Sequence, residues 1–178
     1  FASHDNTGVG VDSNVGLYSA YGLLYDNADD GVELSSLNGQ FLLVHLTSDG
    51  NTGVNTDGLE FLATLAGRLQ LFNAIFSNNG NYGINATDGD QVLSDYNDFF
   101  TNTTGARNNW PTDDHDSTAD PTFTDATNDD FSIGTNLQAL GAPSATNYGW
   151  PLTDGYTDIG AAQRQETGTS TDVLGLVE

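Results

Sequence analysis

Hydrophobic residues in this chain come in short bursts separated by Asn, Asp and Gly, not in long amphipathic periods. Four segments line up: Asn6-Thr7-Gly8-Val9, Asp29-Asp30-Gly31-Val32, Asn51-Thr52-Gly53-Val54 and Asn81-Tyr82-Gly83-Ile84. Each reads Asn or Asp, any residue, Gly, then Val or Ile, and the glycines are spaced by 23, 22 and 30 residues. In a second register, Asn73-Ala74-Ile75-Phe76-Ser77-Asn78 matches Asn97-Asp98-Phe99-Phe100-Thr101-Asn102 at an offset of 24, and Gly22 to Asn27 is a weaker copy.

Helical solenoids repeat every 33 to 47 residues or so and favour Ala, Leu, Glu and Lys, whereas this chain is rich in Asp, Asn, Gly and Thr. Leucine-rich repeats need a fixed leucine frame that is absent. What remains is one coil of a parallel β-helix per repeat. Val, Ile, Phe and Tyr suit its short strands, and Gly, Asn and Asp suit positive-φ turns between them. The expected fold class is all-β: a solenoid of about four or five coils whose matching apolar positions bury one another. The 30-residue spacing predicts an outward loop between residues 55 and 65, and the hexapeptide match predicts an amide ladder through Asn73 and Asn97. His45, at an offset of 30 from Ile75, is expected on a packed strand face. Leu59 to Leu71 is the one helical candidate, interrupted by Gly67.

The pattern assigns residues 1–105 to coils, 106–164 to a loop-rich closing segment and 165–178 to a linker-like tail. That tail ends in Val173-Leu174-Gly175-Leu176-Val177, a short apolar stretch suited to adding a strand to this chain or a partner.

Composition narrows the function classes. Against 25 Asp and Glu stand three cations, Arg68, Arg107 and Arg164, for a net charge of −22. Phosphate binding needs a basic patch, so nucleic acid is excluded as an electrostatic partner. No apolar run is long enough for membrane insertion. No Cys is present, which removes disulfides, thiolate metal sites and a Cys nucleophile. The acidity fits solubility in saline surroundings. The chain opens at Phe1, has no Met and shows no signal-peptide pattern, so a processed product or a domain of a longer chain is expected.

The coil string Phe76-Ser77-Asn78-Asn79-Gly80-Asn81-Tyr82-Gly83-Ile84 is followed by a closing series: Asp95-Tyr96-Asn97, Asp120-Pro121-Thr122-Phe123, Asp130-Phe131-Ser132-Ile133, Leu140-Gly141-Ala142-Pro143 and Asp158-Ile159-Gly160-Ala161. Together they resemble the C-terminal part of the right-handed parallel β-helix, pectate-lyase-like superfamily. The resemblance implies that this series closes the last coil, with Ala142-Pro143 replacing the usual Ser-Pro. That superfamily spans lyases, galacturonases, phage tailspikes and surface proteins, so it speaks to fold and not to activity. Trimers are common among its viral members, so it also implies self-association.

Candidate chemistry is sparse. Elimination at a uronate needs a base, and Arg68 and Arg107 are the cations in the body of the chain. Asn55-Thr56-Asp57-Gly58 resembles a galacturonase motif and makes Asp57 the weak candidate catalyst. The family's paired Asp, Gly-His-Gly and Arg-Ile-Lys are missing, and Asn-x-Asp-Gly is also an ordinary coil turn. Asp113, Asp114 and Asp116, around His115, offer hard oxygen ligands for calcium or form a solvated acidic loop. The pairs Asp29-Asp30 and Asp129-Asp130 read as exposed turns. Trp110, Tyr148, Trp150 and Tyr156 could stack on a sugar or plug the end of the stack. The expected function is a non-catalytic structural or adhesion module, extracellular or on a virion surface. It would be part of a phage spike, fibre or capsid decoration, or a microbial surface protein. The alternatives are the end of a polysaccharide hydrolase or lyase, and a carbohydrate-binding module.

Overall fold

The chain winds through parallel strands of three to five residues. The first turn comprises β1 (Ala2–His4), β2 (Val11–Ser13) and β3 (Leu17–Ala20). The second comprises β4 (Leu23–Tyr25), β5 (Val32–Leu34) and β6 (Gln40–Val44), and the third β7 (Thr47–Asp49), β8 (Leu59–Phe61) and β9 (Arg68–Phe72). The fourth comprises β10 (Ile75–Ser77), β11 (Tyr82–Ala86) and β12 (Val92–Asp95), followed by β13 (Asp98–Phe100) and β14 (Gly105–Asn108). The structure is a computed structural model that describes residues 1–35, 39–62, 68–88, 92–138, 140–142 and 158–162.

Every third strand pairs, so three all-parallel sheets run along the stack. Sheet A is β1-β4-β7-β10-β13, sheet B is β2-β5-β8-β11-β14 and sheet C is β3-β6-β9-β12. This is a parallel β-solenoid of about four turns. It continues through Asn108, past the expected boundary at 105. Alternate side chains point inward and fill one core with Leu24, Leu34, Phe41, Leu43, Phe61, Leu71, Phe76 and Ile84.

The register is held by asparagines. Asn6 Nδ2 donates to Asn27 Oδ1 at 2.8 Å, and Asn27 to Asn51, Asn51 to Asn79 and Asn79 to Asn102 each at 2.9 Å. Each acceptor oxygen also takes the backbone N–H of the asparagine one turn below, at 3.1–3.3 Å. The residue before each Asn is left-handed: Asp5, Asp26, Gly50, Asn78 and Thr101 have φ between 49° and 64°. The ladder therefore exists, but not at Asn73 and Asn97. There Ile75 pairs with Asp98 and Phe76 with Phe99, one residue away from the hexapeptide alignment. Asn97 instead accepts from Ala74 N at 3.0 Å.

The glycine file is corrected in the same way. Val11, Val32, Leu59 and Ile84 stand in register, so the glycines before them, Gly10, Gly31, Gly58 and Gly83, mark one corner. A Cβ on Gly31 would lie 2.6 Å from Gly58 O, and one on Gly58 2.6 Å from Gly83 O, so the strands approach too closely there for a side chain. Gly31-Val32 and Gly83-Ile84 were legible; Gly8-Val9 and Gly53-Val54 are turn residues. Val54 lies 92% exposed in the enlarged turn between β7 and β8, and that turn carries extra length ahead of β8. The expected helix over Leu59 to Leu71 is strand at both ends, β8 and β9.

His45 sits at a second corner with φ 54°, in file with Tyr21, Asn73 and Tyr96, each at φ 58°. It is buried as expected, but on a corner and not on Ile75's strand face. Its ring stacks on Tyr21 with centroids 4.8 Å apart. The closing segment does more than cover the last coil. Its apolar residues Ile133, Leu137 and Ile159 pack with Ile75 on the outer face of sheet A, and Phe131 lies against Tyr25 at 4.8 Å.

The ladder makes a quantitative prediction. Asn51→Ala removes the acceptor of both Asn27 groups and the donor to Asn79 Oδ1, all buried. Urea unfolding should show a loss of about 2–4 kcal/mol, against under about 1 kcal/mol for Asn6→Ala at the exposed end. Equal losses at the two positions would show that the amides do not act as a ladder.

Candidate functional site

The outer face of sheet B collects the acidic side chains of the middle turns. Asp12, Glu33, Glu60, Asn85 and Asn108 stand in register along it. Beside them, immediately before the glycine file, lie Asp30 and Asp57. Carboxylate oxygens of Asp30, Glu33 and Glu60 lie within 4.8 Å of one another, the one group of ion-binding size among the described residues.

Asp30 and Asp57 do the same structural work one turn apart. Asp30 Oδ1 accepts Asp57 N at 2.6 Å, and Asp57 Oδ1 accepts Tyr82 N at 2.8 Å. Asp57 Oδ2 also accepts Asn85 Nδ2 at 2.9 Å, and Asn85 Oδ1 in turn accepts Asn108 Nδ2 at 2.9 Å. Both aspartates are buried, at 4% and 1% exposure, so Asp30 is not the exposed turn its sequence suggested. Burial pushes the Asp30 carboxyl up to about 8; the charges of Glu60, Asp57 and Asp29 add to this, and the Asp57 N–H opposes it. Asp57 is raised by burial and lowered by its bonds from Tyr82, Asn85 and Asn81. Glu33 and Glu60 are raised by burial and by like charge. A protonated Asp30 beside the Glu60 carboxylate is the ordinary answer to acids this close.

Glycosidic hydrolysis needs two carboxyls flanking the scissile bond at about 5–9.5 Å. The Asp30, Glu33 and Glu60 oxygens are closer than that, and both oxygens of Asp57 are occupied by the stack. What this arrangement offers chemically is a shared proton or a hard cation.

The other candidates lie elsewhere. Trp110 is 8% exposed, edge-on to Phe61 at 6.4 Å, and donates from Nε1 to Ser94 Oγ at 3.1 Å; a ring so placed closes the core and offers little face to a sugar. Tyr148, Trp150 and Tyr156 lie outside the described residues. Asp113 accepts from Ser94 Oγ at 2.5 Å. Asp116 takes Arg107 Nη2 on one oxygen and Asn97 N on the other, both at 2.8 Å. Asp114 is exposed, and the three carboxylates do not form an ion-sized group. Arg107 follows Ile84 in an otherwise aliphatic inward file, and its guanidinium lies 4.3 Å from the centroid of the Phe99 ring. It seals the end of the core. Each histidine stacks on a tyrosine: His4 on Tyr25, His45 on Tyr21, His115 on Tyr96. No helix among the described residues is long and apolar enough to cross a membrane.

Compared with known proteins, the chain matches no family model, no curated protein and no solved structure.

The buried acids set a pH profile. A carboxyl whose folded pKa is raised binds its proton more tightly folded than unfolded, so stability falls as pH climbs from the unfolded value near 4 through the folded one. For Asp30 that window ends near 8 and for Asp98 near 7. His45, lowered to about 4 by burial, acts oppositely and costs stability as pH falls below its ordinary 6.5. Thermal melts should therefore show a lower Tm at about pH 9 than at about pH 6, and Asp30→Asn should shrink that difference. A Tm that rises over this interval would remove the raised carboxyls from the account.

Proposed function

We propose that this chain is a non-catalytic structural or adhesion module, a stiff projection on a virion or microbial surface. The observation that carries this reading is the fate of the polar side chains. The buried asparagines spend their amides on the turns above and below, and Asp57, the one motif-like acid, is held by Tyr82 N and Asn85. A stack bonded along its length resists local opening. Membership of the right-handed, pectate-lyase-like superfamily belongs to the same proposal.

Symmetric self-association as a trimer fits it too. The outer face of sheet C carries Tyr18, Leu42, Gln70 and Leu93 in register, with Tyr18 76% and Leu93 59% exposed. That row holds no carboxylate, so copies of a strongly acidic chain could approach there.

Calcium is a second element, favoured by the grouping of Asp30, Glu33 and Glu60. Its hard charge would replace the shared proton. Calcium should then raise the Tm of the native chain and leave that of Glu60→Gln unchanged; an equal response in both would take the cation off this face.

A glycan panel tests the main reading. The structural module neither cleaves nor retains any glycan, and retention without cleavage places it among adhesins. Cleavage that disappears in Asp57→Asn would overturn the proposal in favour of a hydrolase.

A further inference from the structure

The outward file of sheet A reads Leu23, Thr47, Ile75, Asp98. The last member is a carboxylate where its neighbour is an isoleucine, and it is completely buried. Residues 117–119 of the closing segment cover it. Ser117 pairs with Asp98 as a further rung of sheet A: Ser117 N donates to Asn97 O at 2.7 Å, and Phe99 N donates to Ser117 O at 3.0 Å. From there the segment runs down the outside of sheet A. Its hold is the cluster of Ile133, Leu137 and Ile159 around Ile75, with Ala119 and Phe123 at the margin, and Phe131 against Tyr25. Gly160 N also donates to Asn73 O at 2.8 Å, and Ala161 N to Thr47 Oγ1 at 2.9 Å. This cluster is separate from the main core and much smaller, so it belongs to the part of the molecule that opens most cheaply.

We propose that residues 117–138 and 158–162 form a pH-gated strap, seated on sheet A while Asp98 beneath it is uncharged and lifted when that carboxyl gives its proton to water, with the solenoid still folded. Neither Asp98 oxygen accepts a well-formed hydrogen bond among the described residues. The Ser117 hydroxyl and the Ala119 N–H face the carboxyl and offset its burial only in part. The charged groups around it are Asp116, just before the strap and tied to the stack through Asn97 and Arg107, and Asp120 on the strap; both repel its anion. From β10 the neighbour in the file is Ile75, which carries no charge. Ionisation therefore places an anion against an apolar cluster and two like charges, and lifting the strap hydrates it without breaking the stack. The hold weakens as pH climbs out of the ordinary carboxylate range and the loss is complete near neutrality, burial having pushed the carboxyl up to about 7. Lifting uncovers Leu23, Thr47 and Ile75.

Amide hydrogen exchange on the intact chain tests this. Rates are corrected for intrinsic pH dependence and followed from about pH 5.5 to about pH 8.5. Protection of peptides within 117–138 should fall by about tenfold or more, while peptides of β5, β8 and β11 stay far better protected than the strap throughout the interval. Asp98→Asn should hold the strap's protection flat. Asp30→Asn, beside sheet B, should leave the strap's response intact. Asp120→Asn, on the exposed side of the strap, removes a charge that repels the Asp98 anion, so the fall in strap protection should be smaller and end at lower pH, and it serves as the probe if Asp98→Asn does not fold. The proposal is overturned by a strap whose protection is flat in the native chain, by an equal fall in Asp98→Asn, by a fall that Asp120→Asn leaves unchanged, or by strap and solenoid exchanging at one common level of protection.

Discussion

The constraint on which this structure depends is the asparagine at one corner of each turn. A parallel stack has no hairpins to fix its register, and a slip of one residue would turn every inward side chain outward. Asn27, Asn51 and Asn79 remove that freedom, because each oxygen receives an amide and a backbone N–H from the turn below. These groups are buried, so a slipped register would leave several of them unsatisfied at once. The left-handed residue before each Asn aims the amide along the axis. The glycine file acts alongside by forbidding side chains where carbonyls of successive turns approach. Amides hold the turns together, and glycines set how close they come.

The same chemistry explains what could be read from the chain. The period and the residue classes were sufficient for the solenoid, since few architectures use one glycine and one asparagine per two dozen residues. Register was not legible, because both corners draw on Asn, Asp, Gly and Tyr. Asn51-Thr52-Gly53-Val54 looks like Asn81-Tyr82-Gly83-Ile84 as text, yet Val54 faces solvent and Ile84 is fully buried. Asn73 and Asn97 look equivalent, yet Asn73 is the corner residue and Asn97 follows one. Burial distinguishes these pairs, and a single chain written in a line does not show it. Asp57 was legible as a turn residue. The Asp30, Glu33 and Glu60 group was not, because it joins two turns at an offset that the enlarged β7–β8 turn lengthens.

Acidity has two meanings here. One set of carboxylates, among them Asp5, Asp29, Asp114, Asp120, Asp125 and Asp129, lies in exposed turns, where they hydrate the surface and are screened by salt. Another set is built into the sheets as hydrogen-bond acceptors. Asp49 takes Ser77 and Asn78, Asp57 takes Tyr82 and Asn85, and Asp116 takes Asn97 and Arg107. The amide and hydroxyl partners of Asp49 and Asp57 give those acids neighbours without neutralising them, and burial still raises each one, Asp116 included despite its ion pair with Arg107. The molecule thus carries groups in its walls that keep protons above the pH at which free carboxyls lose them.

In a solenoid, polar residues fall into files by default, so a cluster of acids or aromatics is weak evidence of a working site. A break in a file says more. Two breaks stand out, and both fall in the last turn: Arg107 after Val11, Val32, Leu59 and Ile84, and Asp98 after Leu23, Thr47 and Ile75. Arg107 is explained by its place, since its guanidinium covers Phe99 and binds Asp116 where no further turn would supply apolar cover. Asp98 is not explained that way. An isoleucine would fill its position beneath Ala119 and cost nothing in desolvation, whereas the carboxyl destabilises the neutral-to-alkaline folded state. A group that weakens the attachment it sits under, where the closing segment first joins sheet A, makes that attachment conditional, and a coupling to solution pH is what its chemistry supplies.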